Sequence, residues 1–280
     1  MMGKIPAITL NDGLTLPVVG LGTYALNGNA GASAIQHAIS AGYRLIDSAY
    51  NYENEGTVGE AVRRSSVPRE ELRVTSKLPG RYQSYDKAVT TIQESLYRAN
   101  LDYYDLYLIH WPNPKQDQYV EAWQALIDAK KWGLIRSIGV CNFLPEHVER
   151  LEKETGVKPS VNQIELHPYF NQEKQRKWHQ ENNIVTESWS PLARANHLLQ
   201  NDTIQQIAKR HNKSISQIIL RWHYQLGAIS IPKSASPVRQ IENISIFDFS
   251  LDETELSLIS GLTRPDGRIN NQDPAVYEEF

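Results

Sequence analysis

A single cysteine, Cys141, stands in a chain of 280 residues, which excludes an internal disulfide and any structural zinc site built on cysteine. An excess of one charge sign is missing too, since 29 lysines and arginines face 32 aspartates and glutamates for a net −3. That balance leaves no electrostatic footprint for nucleic acid or an anionic membrane surface. The longest apolar-looking stretch, Leu16–Leu26, is broken by Gly and Thr and falls far short of the roughly 20 residues a spanning helix needs. The opening MMGKIPAITL lacks the apolar centre of a signal peptide. No Pro/Ser-rich linker, low-complexity tract or charge block divides the chain. These exclusions lead to one expectation: a soluble, cytoplasmic, single domain over residues 1–280, long enough to bury roughly 75% of its unfolded surface.

What is there is an alternation. Short β-branched or aromatic runs begin near Val18, Tyr43, Leu72, Tyr104, Ile135, Ser160, Ile184 and Ala228. A helical pattern follows each, for example over Tyr85–Asn100 and Val120–Trp132. Gly42, Gly133, Gly156 and Gly227 fall just before strands, where a helix C-terminus favours a residue tolerant of positive φ. Ser250 and Glu253 have the spacing of a capping box for the last helix, and Pro237 after Ser236 suits a first helical turn. Asn11-Asp12-Gly13 between apolar residues signals a hairpin ahead of the first strand. Eight strands separated by helices predict an α/β fold, a (β/α)8 TIM barrel with the hairpin capping its bottom. A doubly wound sheet is disfavoured because Gly20-Leu21-Gly22 lacks the third glycine of a dinucleotide-binding turn.

Barrel enzymes carry their chemistry at the C-terminal strand ends. Those ends present Thr23, Asp47, Lys77, His110, Asn142, Gln163, Glu165, Glu187, Trp189, Lys233 and Ser234. Any one of them is more often a loop hydrogen-bonder than a catalyst, but barrel closure would gather them all around one axis. A glycosidase needs two carboxylates across a sugar bond; Glu165 and Glu187 qualify by type, yet the rim between offers Lys77 and His110. A metallohydrolase is poorly served, with His110 and His167 on distant strands and no third imidazole at a strand end, so no metal site is expected. Lys233, Ser234 and Arg239 flank a helix N-terminus, which suits an anion; the alternative is that the two cations are solvated surface charges.

The stretches GLGTY (20–24), GYRLIDSAYNYENEGTVGEAV (42–62), VTSKL (74–78), YDLYLIHWP (104–112), IGVCNF (138–143), NQIELHP (162–168) and IPKS (231–234) resemble the aldo-keto reductase family. The likeness runs along essentially the whole chain, and is strongest to the bacterial branch that includes 2,5-diketo-D-gluconate reductases and small-aldehyde or dicarbonyl reductases. It implies a catalytic tetrad of Asp47, Tyr52, Lys77 and His110. Hydride delivery to a carbonyl carbon leaves an alkoxide that needs a proton and hydrogen-bond donors. In this reading Tyr52 is the proton donor, Lys77 makes it a better acid by favouring tyrosinate, Asp47 holds Lys77, and His110 orients the substrate oxygen.

The implied cofactor is NADPH. Trp189 corresponds to the ring stacked on nicotinamide, and Asn142 and Gln163 to partners of its carboxamide. Ser190, Pro191 and Leu192 would wrap the pyrophosphate. Lys233, Ser234 and Arg239 would clamp the 2′-phosphate, with Glu242 and Asn243 near adenine. Gly22, Thr23, Asp47, Cys141 and Ile231 complete the expected cofactor surface, and Tyr24, Tyr52, His110 and Trp111 the substrate surface. Cys141 stands where the family commonly has Ser, and reads best as a small buried apolar residue. Tyr24 replaces a frequent Trp, and Leu78 an aromatic of some relatives. Short connections at 112–120 and 193–201 suggest an open pocket for small or polar carbonyls, with the polar tail from Arg264 folding over the barrel mouth. The expectation is an NADPH-dependent carbonyl reductase, monomeric and acting on a small molecule, the alternative being an NADPH-binding regulatory subunit with negligible turnover.

Overall fold

The computed structural model describes residues 5–195 and 197–280. Residues 1–4, which open the segment examined for a signal core, and Asn196, within the 193–201 connection, lie outside the described residues. The hairpin pairs β1 (Ala7–Thr9) with β2 (Thr15–Pro17), Ile8 opposite Leu16. Eight parallel strands follow: β3 (Leu21–Gly22), β4 (Leu45–Asp47), β5 (Arg73–Leu78), β6 (Tyr104–Ile109), β7 (Ile135–Cys141), β8 (Val161–Glu165), β9 (Val185–Trp189) and β10 (Ile229–Ser230). Each pairs with its neighbour in sequence. The ring closes where Val19 bridges Ser230 and Gly22 bridges Lys233. Closure at that seam requires glycine, because a Cβ on residue 22 would stand 2.8 Å from the Ile231 carbonyl oxygen. The barrel expected from the alternation is the fold observed.

Ten α-helices lie among the described residues: α1 (Gly28–Ala41), α2 (Glu55–Arg64), α3 (Tyr85–Ala99), α4 (Tyr119–Lys131), α5 (Pro145–Thr155), α6 (Glu173–Glu181), α7 (Asp202–His211), α8 (Ile215–Gln225), α9 (Pro237–Ile244) and α10 (Glu253–Ser260). Two helices, α7 and α8, fill the long interval between β9 and β10. Gly42, Gly133, Gly156 and Gly227 all have positive φ, as their places before strands required. The last helix corrects the sequence reading. Its capping box is Asp252 with Glu255, not Ser250 with Glu253, and Asp252 Oδ1 accepts from the Glu255 N–H at 2.8 Å. Asp is as good a cap as Ser, and it stands two residues further along.

Packing divides into an inner and an outer layer. Inside the lower barrel, Leu10 and Leu16 of the hairpin join Leu45, Leu106, Leu108, Cys141, Val161 and Ile229. Asn11 pins the hairpin there, donating to Pro159 O at 3.0 Å and accepting from Ser160 Oγ at 2.8 Å. The hairpin therefore stoppers the N-terminal end, and the open end is the one where strands finish. Outside, helix residues such as Ile35, Ile92 and Trp123 pack on Ile46, Val74, Tyr107 and Ile138 of the strands. Each such buried side chain contributes about 1.5–3 kcal/mol, so the rim loops rest on a rigid base.

Candidate active site

Loop geometry at the rim begins with Thr23. Its N–H and hydroxyl donate to Asp47 O at 3.0 and 2.8 Å, and Asn54 Nδ2 donates back to Thr23 O at 2.6 Å. Ser48 Oγ donates to Asn54 Oδ1 at 2.7 Å. This knot fixes the turn after β4, whose 3₁₀ segment Tyr50–Tyr52 delivers Tyr52 to the rim. A cavity of about 650 Å³ opens there. Gly22, Thr23, Tyr24, Asp47, Tyr52, His110, Trp111, Asn142, Gln163, Trp189, Ser190, Pro191, Leu192, Ile231 and Lys233 all line it. Most residues selected from the sequence are thus brought to one surface.

Behind that surface lies Lys77, fully buried. Its ammonium donates to both Asp47 oxygens, at 2.8 and 2.7 Å, and to Ser48 O at 2.7 Å. All three protons are used. Burial alone would lower the Lys77 pKa, but the Asp47 carboxylate and Tyr52 outweigh it, so the group is held charged. Lys77 Nζ lies 5.0 Å from the Tyr52 ring centre. Burial nevertheless pushes the phenol up to about 12, with Asp47 adding to the rise and Lys77 opposing it. Lys77 does oppose the rise, but the burial of the phenol is the larger contribution and the Asp47 carboxylate adds to it. Tyr52 is a firmly neutral phenol, holding its proton ready for a strong base such as an alkoxide.

The amides next to it are partly committed. Gln163 Nε2 donates to Asp47 Oδ1 at 3.0 Å and Glu187 Oε2 at 2.9 Å, which uses both of its protons and leaves Oε1 as an acceptor. Asn142 Nδ2 donates to His110 O at 3.0 Å, and its Oδ1 accepts from Trp189 Nε1 at 2.7 Å, leaving one proton and one lone pair. A free acceptor beside a free donor fits a primary carboxamide. Asn142 has φ 61°, a left-handed conformation that Asn tolerates.

Besides Lys77, five residues expected at the cofactor do not line the cavity. Cys141 is fully buried, and burial drives its thiol well above the ordinary range, so it behaves as the small apolar residue the sequence suggested. Ser234 is buried and caps locally, accepting from the Ser236 N–H at 3.1 Å. Arg239 is exposed on the first turn of α9. Glu242 accepts from the Ser214 hydroxyl, and Asn243 is buried. Glu165 also turns away: it accepts from His167 Nε2 at 2.8 Å and the Ile269 N–H at 2.7 Å. The carboxylate pair of a glycosidase is therefore not assembled. Among the described residues no group of three or more His, Cys, Asp or Glu is placed to hold a metal ion.

Asn51, Arg194, Pro232, Gln272, Tyr277 and Glu279 line the cavity without having been singled out. The last three belong to the tail, which does fold over the mouth as expected. Tyr277 packs on Trp111 with ring centres 4.5 Å apart. Only the tail's polarity was legible in advance, which says nothing about which of its side chains turns inward.

The model of the "Aldo/keto reductase family" matches residues 18–264. The chain belongs to the aldo/keto reductase family. Among curated relatives, 2,5-diketo-D-gluconic acid reductase B of Corynebacterium sp. (strain SHS752001) is 51% identical over the full length of both chains. Methylglyoxal reductase DkgA of Yersinia pestis is 45% identical over 97% of each. A solved structure of a Gox0644 point mutant in complex with NADPH superposes with a TM-score of 0.93 at 41% identity, covering 99% of this chain and 100% of that one. As an aldo/keto reductase the chain is an oxidoreductase, and its α/β barrel matches the solved structures of that family. No described helix is long and apolar enough to cross a membrane.

Proposed function

We propose that this aldo/keto reductase reduces small aldehydes and ketones, namely dicarbonyls, keto-sugars or aromatic aldehydes, with NADPH bound first and Tyr52 as the proton donor. The observation that carries the reading is the convergence at one cavity wall of Tyr52, His110 and Asp47, with Lys77 paired to Asp47 just behind it. Bound NADPH supplies the hydride. Gln163 Oε1 and the spare donor of Asn142 orient its carboxamide, and the Trp189 ring forms the wall on which nicotinamide stacks. Ser190, Pro191 and Leu192 take the pyrophosphate, while Lys233, Ser234 and Arg239 beside the α9 N-terminus take the 2′-phosphate.

The substrate enters between Tyr24, Trp111 and Tyr277. Its carbonyl oxygen lies between Tyr52 and His110, whose rings are 6.0 Å apart at an edge-on angle of 77°. Tyr52 gives its proton to the alkoxide as it forms, while His110 donates a hydrogen bond that fixes the oxygen. Lys77, held charged by Asp47, stabilises the tyrosinate left behind. The protein works as a cytoplasmic monomer on this reading.

The test is NADPH oxidation, followed by absorbance, against a panel of dicarbonyls, keto-sugars and aromatic aldehydes, with Tyr52→Phe in parallel. Turnover by the wild type and a loss of roughly 10²–10⁴-fold in the variant, with NADPH binding retained, supports the assignment. Tight NADPH binding with no turnover of any carbonyl would instead favour a regulatory role.

A further inference from the structure

The tail contributes a charge to the site. Glu279, the penultimate residue, is buried against the cavity, with its Oε1 2.7 Å from His110 Nδ1. The contact is bent off the ring N–H direction, since Nδ1 has no straight hydrogen bond. The carboxylate is built in on every side. Asn51 Nδ2 donates to Oε1 at 2.8 Å and the Gly80 N–H to Oε2 at 2.8 Å. Asn113 grips the backbone, donating to Glu279 O at 2.8 Å and accepting from the Glu279 N–H at 3.0 Å. The Gly80 approach admits no side chain, for a Cβ there would lie 2.6 Å from Glu279 O. Burial works against ionisation of Glu279, yet His110, then the Gly80 N–H and Asn51, outweigh it and hold the carboxyl below its usual range. Three groups are thus arranged around one carboxylate, with Asn113 on its backbone, and its nearest functional neighbour is an imidazole of the reaction site.

We propose that Glu279 is a positioning residue for the reductase: its carboxylate holds the Nδ1 edge of His110, so that Nε2–H is presented to the substrate oxygen. This rests on the role given to His110 above. A carboxylate fixed at the Nδ1 edge sets the plane of the ring and so the direction of its Nε2 edge. Nε2 has no protein partner among the described residues, which leaves it for the substrate. The Asp47 carboxylate cannot serve His110 in the same way, because Lys77 and Gln163 occupy it.

Glu279→Gln preserves length and removes charge. In ¹⁵N-labelled apo protein, the His110 resonances are assigned by their disappearance in His110→Asn. The wild type is expected to show a proton on Nδ1. Glu279→Gln should shift His110 toward the tautomer protonated on Nε2 alone, and lower kcat by roughly tenfold or more. NADPH affinity and the melting temperature should stay close to wild type. In the His110→Asn background the same change should leave kcat unaltered, since a residue acting through His110 has nothing left to position. An unchanged ¹⁵N signature and kcat in Glu279→Gln would overturn the proposal, as would an equal loss of kcat in both backgrounds. Full activity of His110→Asn would instead overturn the role given to His110, while the ¹⁵N signature would still report on the pair itself.

Discussion

Lys77 and Asp47 form a closed ion pair inside the barrel, Nζ lying 2.7 Å from one carboxylate oxygen and 2.8 Å from the other. Neither side chain is more than 2% exposed. A buried charge that loses its partner costs far more than the intact pair contributes. Asp47→Asn should therefore destabilise the fold by about 3–5 kcal/mol, and Lys77→Met by a comparable amount. The double variant should be more stable than the sum of the two losses implies. Urea unfolding of all four proteins measures the coupling, and strictly additive losses would contradict it.

Glu187 gives stability a pH dependence of its own. It is fully buried beside Gln163, and burial, followed by the nearby Asp47 charge, raises its pKa to about 8. Between the ordinary glutamate range and about 8 the folded chain holds a proton that the unfolded chain has lost. Stability therefore falls as pH rises through that window. Glu187→Gln cannot ionise, so its unfolding free energy should decline less between pH 5 and pH 8.5, by an amount on the order of 3 kcal/mol relative to wild type. Parallel declines in the two proteins would place the ionised carboxylate in the folded core after all.

Arg239 tests the nucleotide assignment without disturbing the fold, because it is exposed at the start of α9. A charge-assisted contact to a phosphate is worth about 1.5–3 kcal/mol. Arg239→Ala should weaken NADPH by roughly 10- to 100-fold while leaving NADH affinity and the melting temperature nearly unchanged. Fluorescence titration with both nucleotides reads this directly. Equal weakening of the two would remove Arg239 from the 2′-phosphate site.

Gly22 marks the seam of the barrel. A methyl group there meets the Ile231 carbonyl oxygen at 2.8 Å, and backbone on backbone has little room to yield. Gly22→Ala should cost about 1–3 kcal/mol and should weaken nicotinamide binding, since Thr23 and Ile231 share the cavity wall. Thermal melting with and without NADPH separates the two effects. An unchanged melting temperature would mean that β3 shifts freely against β10.

The eight strands, the hairpin turn and the helix ends at Gly42, Gly133, Gly156 and Gly227 were legible in the sequence because each is a local matter. Alternation of apolar runs, a tight turn or a positive φ is enforced within a few residues. Asp47, Lys77 and His110 were legible as rim residues, because they lie at strand ends and a closed barrel has only one place to put its strand ends. Their grouping with Tyr52 and the catalytic roles came from the family resemblance alone. The capping box slipped by two residues because Ser250 and Asp252 are both good caps, and only the packing of α10 chose between them.

Tertiary structure decided the rest. That Asp47 would take up the Lys77 charge so fully, and that burial would dominate Tyr52, follows from depth inside the barrel, which no spacing encodes. The inward turn of Glu279 depends on Asn113, Gly80 and Asn51, three residues on separate loops that share no pattern with the tail. Sequence periodicity records which face of an element meets the core. Where an irregular tail comes to rest is set by a few long-range hydrogen bonds that exist only once the barrel has closed.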